Sequence, residues 1–381
     1  MKVGLAALGE VSEFIRGITF TPNDVEEVAS TNTVGVMRTK NVQEQLDLND
    51  VWKINRKFVK NKNQYLEEGD LLVSTANSWN LVGKASWVPL LNYESSFGGF
   101  VTVLRGNKKL VDRRYLYYWF VSDRIQELLR SFSNKTTNIS NLSLSRAKEL
   151  TIPLPPLAEQ QRIAALLDTA DRILKQRELA IAKLDQLAQS VFVEMFGDVV
   201  SNNKNWPIHE FSKLADNEDY KRKPIKSSDR DNRGGAYPYY GASGIIDTID
   251  EYIFEGDSLL IGEDGANLVA RSSPIAFIAR GKYWVNNHAH ILRQNRNANI
   301  RYLEYFLLQI DLKPYVTGSA QPKLTRGNLD RILVPTPPIK LQNHFEKIII
   351  ELEAEKDVMN SNQRVALKLV SSLQHQSFAV N

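Results

Sequence analysis

The chain has 381 residues, room for two or three domains that each bury a core. Its 43% apolar and 24% charged residues read as an ordinary folded soluble protein, and no run reaches the roughly 18 apolar residues of a membrane span. The absence of cysteine excludes disulfides, thiolate catalysis and thiolate metal sites. The opening MKVGLAALGE is too short an apolar stretch for a secretory signal, so a cytoplasmic location is expected. A net charge of +4 points only weakly toward nucleic acid.

Residues 1–151 contain short runs of Val, Ile, Leu, Tyr and Trp broken by Gly, Asn, Ser and Pro. Leu71–Ser74 and Phe100–Leu104 read as strands and Arg114–Ser131 as a helix. Residues 152–200 change texture: after Pro155-Pro156 comes a long, nearly Gly-free stretch rich in Ala, Leu, Glu, Gln and Lys. Ile163, Leu166, Ala170, Ile173, Ala180, Leu184, Leu187 and Val191 follow a four–three alternation interrupted by Arg177. Leu167, Leu174, Ile181, Ala188 and Met195 add a second stripe beside it. This spacing predicts a coiled-coil helix over 157–196, roughly 60 Å long. The prolines suit its entry, and Gly197 with the following SNNKNWP suits its end.

Residues 201–333 return to the β-rich texture, with strands expected at Ser258–Gly262 and Pro274–Ala279 and a helix at Ile300–Ile310. Residues 334–381 supply a second long helix over 339–378. There Leu341, Phe345, Ile348, Leu352, Met359, Ala366, Leu369 and Leu373 keep the same alternation around the polar Glu355 and Asn362.

The chain therefore repeats itself. At a constant offset of 182, Leu142 matches Leu324 and Ser143 matches Thr325; Pro153, Pro155 and Pro156 match Pro335, Pro337 and Pro338, and Gln160 matches Gln342. Upstream, Glu68-Gly69-Asp70 is echoed by Glu255-Gly256-Asp257, and Tyr115-Leu116 by Tyr302-Leu303. A period of half the chain is a duplicated domain pair rather than a solenoid. The plain reading has each helix packing on its own domain. A stripe this long and wide has more surface than one small domain covers, so the two helices are expected to pack on each other, antiparallel, with surface left for other subunits. The fold class is thus α+β: two β-rich domains with helices, separated by two long helices forming an antiparallel coiled coil, with a pseudo-twofold internal repeat.

This pattern resembles the specificity subunits of type I restriction–modification systems. The family opens each long helix with a Pro-Pro-Leu-x-Glu-Gln-like sequence, present as Pro155-Pro156-Leu157-Ala158-Glu159-Gln160 and, without the glutamate, as Pro337-Pro338-Ile339-Lys340-Leu341-Gln342. Its Gly-Ser-x-Gln-x-x-Leu stretch stands as Gly318-Ser319-Ala320-Gln321-Pro322-Lys323-Leu324 and loosely as Lys135–Leu142. Its Tyr-Pro-x-Tyr-Gly stands as Tyr237-Pro238-Tyr239-Tyr240-Gly241, with no clear counterpart in the first half. The resemblance implies that 1–151 and 201–333 are target-recognition domains and 152–200 and 334–381 conserved helical spacers. Each recognition domain would read one half of a split, asymmetric target in double-stranded DNA. Two adenine methyltransferase subunits, carrying S-adenosylmethionine, would dock along the helices. Motor–nuclease subunits, using ATP and Mg, would complete the assembly. No cofactor is expected in this chain itself.

DNA contacts need cations for phosphates and forked donors or acceptors for base edges. The densest basic stretch is Lys221, Arg222 and Lys223, continuing through Lys226, Arg230 and Arg233; a solvated surface loop reads equally well there. Tyr239, Tyr240 and Ser243 beside it could pack on sugars or be buried turn residues. In the first domain the candidates are the polar loop Ser74, Thr75, Asn77, Ser78, Trp79 and Asn80, with Arg38, Lys40, Lys135, Thr136, Thr137 and Asn138. In the second they are Asn267, Arg271, Asn286, Asn287, Ser319, Gln321 and Lys323. The loop that recurs before each helix is expected to position the chain rather than to specify sequence.

Enzyme signatures fail on inspection. The prolines of Leu154-Pro155-Pro156-Leu157 lack the amide or carboxylate before and the aromatic after that an adenine methyltransferase site needs. Neither Gly83-Lys84 nor Gly281-Lys282 completes a phosphate-binding loop. His288-x-His290 is the spacing of alternate strand residues with no acid nearby in sequence, and Glu263-Asp264-Gly265 is first a turn signal. No catalytic residue is expected. The competing readings are a coiled-coil scaffold that never touches DNA, an enzyme with an unfamiliar site, and a silent copy of a specificity gene.

Overall fold

The computed structural model describes residues 4–135, 139–318 and 320–379. The chain forms two compact units, one of 1–177 with 362–381 and one of 178–361. The division by texture runs along the sequence; in space each long helix is shared between the units.

In the first unit the central sheet has four antiparallel strands in the order Ser12–Arg16, Val101–Gly106, Leu71–Ser74, Ala85–Trp87. Leu71–Ser74 and Val101–Gly106 are buried along their whole length because both faces are covered. The twofold alternation of a strand sends Leu71, Val73 and Leu104 into a core with Tyr115, Leu116 and Trp119 of the helix Arg113–Phe120. It sends Leu72, Val101 and Val103 into a second core with Met37, Val88 and Phe97. The Asp112 carboxylate starts that helix by accepting the amides of Arg114 and Tyr115. The helix expected over 114–131 is in fact two, Arg113–Phe120 and Asp123–Ser131, with Ser122 between them.

The second unit repeats this plan. Its central sheet runs Ala215–Asn217, Ala289–Gln294, Ser258–Gly262, Ala276–Ala279. Leu259, Ile261 and Leu292 face the helix Ile300–Gln309, while Leu260, Ala289 and Ile291 face the other core. The Asn299 side chain takes the place of Asp112, accepting the Arg301 amide.

Each unit also holds a smaller sheet, and here the structure supplies a counterpart that the sequence did not reveal. Tyr237–Gly241 lies between an antiparallel partner, Gly244–Ile249, and a parallel one, Lys282–Val285. Thr33–Met37 lies in the same way between Trp52–Asn55 and the parallel Ser95–Phe97. Thr33-Val34-Gly35-Val36-Met37 is thus the topological equivalent of the Tyr-Pro-Tyr-Tyr-Gly strand, with none of its tyrosines.

The Pro-Pro-x-x-x-Gln motif has a structural explanation. Gln160 is buried; its carbonyl accepts the Asp112 amide at 2.9 Å and its amide donates to Pro155 O at 2.8 Å. Gln342 does the same with the Asn299 amide (2.8 Å) and Pro337 O (2.7 Å). Each glutamine thereby joins the start of the long helix to the start of the short helix. Tyr115 and Tyr302 reinforce the joint, donating to Pro153 O and Pro335 O.

The long helices, Leu157–Phe196 and Ile339–Phe378, are each 40 residues and run antiparallel. In the first unit Ile163, Ala164 and Leu167 share a core with Val370, Leu373 and Phe378. In the second Ala188, Phe192 and Phe196 meet Phe345 and Ile349. Two expected polar interruptions find each other: the Arg177 guanidinium donates to Asn362 O at 2.9 Å. The expected seam needs one correction. Leu166, Ile173 and Leu187 are 43%, 41% and 47% exposed and Leu369 is 66% exposed, whereas Leu167 and Ala188 of the second stripe are buried. The seam runs along the second stripe of the first helix together with Ile163 and Val191 of the first stripe, leaving Leu166, Ile173 and Leu187 uncovered.

Candidate nucleic-acid interface

In the second unit four loops converge beyond the end of the strand Ser258–Gly262. The turn 241–244 is tied in where the Asn286 amide donates to Tyr240 O and Asn267 Nδ2 reaches Ser243 Oγ at 3.4 Å. Loop 263–267 is tied to 317–324: the Gly265 amide donates to Pro322 O, and the Leu324 amide to Glu263 O at 2.8 Å. The segment 286–288 closes the group through the Glu263 amide and His288 O. Gly318, at φ 85°, explains the glycine of the family motif, because a Cβ there would sit 2.6 Å from Gln321 O.

This convergence brings together Ser243, Asn267, Asn287, Gln321 and Lys323, all but Asn267 exposed. Ser319 lies outside the described residues.

Other candidates are spent internally. Arg222 donates to Glu263 Oε2 at 2.6 Å and to Ala289 O at 3.0 Å, so it braces the loops from beneath instead of facing solvent. Arg271 adopts a left-handed backbone (φ 50°) and gives its guanidinium to Leu307 O, Leu308 O and Ile310 O, capping the end of the helix Ile300–Gln309. Asn286 is buried and shapes its loop through the His288 amide. Tyr239 is fully buried with its hydroxyl on the Ile225 amide, and Tyr240 packs between Phe277 and Tyr283. The basic stretch is largely neutralised: Lys221 pairs with Glu218, Arg230 with Asp247, and Arg233 with Asp250 and Glu251. Lys223 and Lys226 stay exposed.

Sequence reasoning missed a cluster beneath the loops. His290 is 1% exposed, with Nδ1 at 2.6 Å from Asp219 and Nε2 at 2.8 Å from Leu324 O. Glu263 joins Arg222 and Lys323 (3.1 Å). Burial works against each charge, but the partners win: Glu263 and Asp219 are held below the usual carboxylate range and the His290 imidazole above its own. Asp219, Glu263 and His290 lie within 4.8 Å of one another. Their hydrogen-bonding atoms are already committed to each other, to Arg222 and to Leu324, which does not fit a metal ion. Above them His288 Nδ1 meets Asp264 at 2.9 Å. The acids stand 24 to 71 residues from their histidines, which is why His288-x-His290 and Glu263-Asp264, each noticed in the sequence, were not joined there.

In the first unit the strand Leu71–Ser74 ends in the same way. Ala76–Asn77 pairs with Ser140–Leu142, which pairs with Ser133–Lys135, and the Leu142 amide donates to Thr75 O at 2.9 Å. The paired residues correspond between units: Ala76 opposite Asn141, and Asp264 opposite Lys323. Asn77 accepts the Ser78 amide and donates to Ser74 Oγ, presenting Ser78, Trp79 and Asn80 at the surface. Ser74 is buried and Thr75 is turned to Phe100 O, so those two shape the loop. Arg38 stacks on Trp52 at 3.7 Å and pairs with Asp50, which also holds the exposed Lys40. Lys135 lies on a described strand, whereas Thr136, Thr137 and Asn138 fall outside the described residues.

Residues 3–183 and 203–368 match the model of the type I restriction modification DNA specificity domain. A Haemophilus influenzae protein assigned as a type I restriction enzyme specificity subunit is 37% identical over 148 residues, 39% of this chain and 37% of that protein. The EcoKI specificity subunit of Escherichia coli K12 is 28% identical over 186 residues, 49% of this chain and 39% of its own. The matched stretches thus span well under half the length of either relative. The fold is that of the S subunit of a type I restriction–modification system from M. genitalium, with a TM-score of 0.63 at 16% identity over 100% of this chain and 97% of that one. No helix among the described residues is long and apolar enough to cross a membrane. Two copies of one frame, each ending in converging polar loops and each matched by the same domain model, make this chain a member of the type I restriction–modification DNA specificity family.

Proposed function

We propose that each unit reads one half of a bipartite, asymmetric target in double-stranded DNA and that the chain itself performs no catalysis. The observation that carries this is the duplicated loop junction. In both units the loop leaving the central strand is stitched to the loop preceding the long helix, at corresponding residues, and polar side chains crown the junction. Among the earlier candidates the surface contacts are Ser78, Trp79, Asn80 and Lys40 in the first unit. In the second they are Lys223, Ser243, Asn287, Gln321 and Lys323.

The uncovered apolar residues of the first long helix, Leu166 and Ile173 in one unit and Leu179, Leu187 and Val193 in the other, support docking of two adenine methyltransferase subunits. In that assembly S-adenosylmethionine would belong to the methyltransferases. ATP and Mg would belong to the motor–nuclease subunits. Modified-base sequencing of the host genome with and without the gene tests the reading. Loss of adenine methylation at one bipartite motif on both strands is expected. Unchanged methylation would leave a silent copy or a scaffold, and co-purification with a methyltransferase then separates those two.

A further inference from the structure

Leu324 is fully buried at the end of the loop 317–324, and both of its backbone groups are held. Its amide donates to Glu263 O and its carbonyl accepts from His290 Nε2. The other ring nitrogen of His290 faces Asp219 Oδ2. With an acceptor at each nitrogen, both must donate, so the ring is an imidazolium. The charged groups around it come from every neighbouring segment. They are Asp219 from the turn 219–221, Glu263 (3.9 Å) from the end of the central strand, Arg222 (3.6 Å from Asp219) and Lys323 on Glu263. In the first unit the Leu142 amide donates to Thr75 O in the same way, but Thr102 stands where His290 stands, its hydroxyl 3.4 Å from that of Thr75.

We propose that His290 is a positioning residue that pins the loop 317–324 to the sheet, giving the second unit an ionic hold on its DNA-facing loop where the first unit has Thr102. The DNA role rests on the proposed function; the pin itself does not. Two substitutions separate the two bonds. In His290→Gln the side-chain amide can still donate toward Leu324 O, whereas in His290→Asn the shorter side chain reaches only Asp219.

Amide hydrogen exchange on the full chain is the measurement. His290→Asn is expected to speed exchange at Lys323 and Leu324 by about tenfold or more, and His290→Gln by much less, with Leu142 unchanged in both. The pH dependence has a definite sign. Burial disfavours the charged ring, but the hydrogen bond and charge of Asp219 outweigh it and raise the folded-state pKa. The pin is therefore complete below about pH 6.5 and is lost as pH rises through the raised value. After correction for intrinsic exchange, wild type should show this step and His290→Gln should not. Wild-type protection of Leu324 in His290→Asn, or an unchanged step in His290→Gln, overturns the pin. Should His290→Asn fail to fold, a wild-type loop without the step overturns it equally. Modified-base sequencing then reads the consequence. Faster exchange with methylation of the motif undiminished overturns the positioning role, while a wild-type strain without any motif overturns the DNA reading and leaves the pin standing.

Discussion

Thr75 and Thr102 of the first unit occupy the places that Glu263 and His290 hold in the second, and the two ends of the central strand invert this contrast. Ahead of Leu71 the first unit buries an ion pair: Arg105, 8% exposed, donates to both oxygens of the fully buried Asp70 at 2.8 and 2.6 Å. In the second unit Arg293 sits at the corresponding strand position, but its guanidinium goes to the Asp257 and Glu255 carbonyls and to Glu218. The first unit thus keeps its buried ion pair away from the loops, whereas the second places buried charge beneath them and buries a further pair, Arg301 with Glu304, on the helix Ile300–Gln309. Duplication preserved the backbone frame and the joints to the long helices, while the charged interior of each copy was set separately.

The largest expected effects probe the frames themselves. Phe192 packs against Phe196, Tyr302 and Phe345 in the second unit, with ring centroids 5.0 to 5.6 Å away. Phe192→Ala should cost about 3–5 kcal/mol, read as a lower urea midpoint of the second unit alone. Phe378→Ala in the first unit, at the last residue of its helix and touching Tyr115, should cost less. Equal losses would mean that the two units hold their helix pairs equally. Arg105→Ala should come next, at about 3 kcal/mol or more, because it leaves the buried Asp70 carboxylate with only the more distant Arg113, 3.8 Å away. Arg293→Ala leaves mainly carbonyls nearer solvent and should cost clearly less. A reversal of that order would break the contrast between the two units. Smaller again, Gln160→Leu and Gln342→Leu each orphan a backbone amide and should cost about 1–3 kcal/mol apiece. Here the comparison predicts equality.

The same contrast explains what could be read from the sequence. The offset of 182 survives where a residue makes a bond that no other type makes as well. Gln160 and Gln342 bridge two helix starts, and Ser143 and Thr325 cap matching short helices. The strands upstream need only apolar residues in alternation, so Thr33–Met37 and Tyr237–Gly241 share a place with almost no residue in common. The long helices were legible from their period, but which of two adjacent stripes became the seam depended on the partner helix. Site residues were least legible. Choosing by type picked Arg222, Arg271, Asn286 and Tyr239 for groups that suit DNA, and those same donors suit buried carbonyls and carboxylates. Side-chain type names a capacity to bond; burial decides with what.

Lys323 offers the finest test of the asymmetry. Its ammonium lies 3.1 Å from Glu263 yet its side chain is 48% exposed, and Asn141, without charge, holds the equivalent paired position in the first unit. The lysine end of this pair lies in solvent, so the pair adds little stability, and Arg222 still neutralises the Glu263 carboxylate without it. Lys323→Ala should therefore leave the urea midpoint almost unchanged. A cation that turns from Glu263 to a phosphate releases about one counterion on binding. The substitution should then lower the slope of log affinity against log salt by about one unit on DNA carrying the motif found by sequencing. Asn141→Ala should leave that slope untouched, since no charge is lost. If Lys323→Ala leaves the slope unchanged as well, the ammonium stays on Glu263 in the complex. Its part is then to complete the clamp on the loop, and the ionic character of the second unit serves geometry alone.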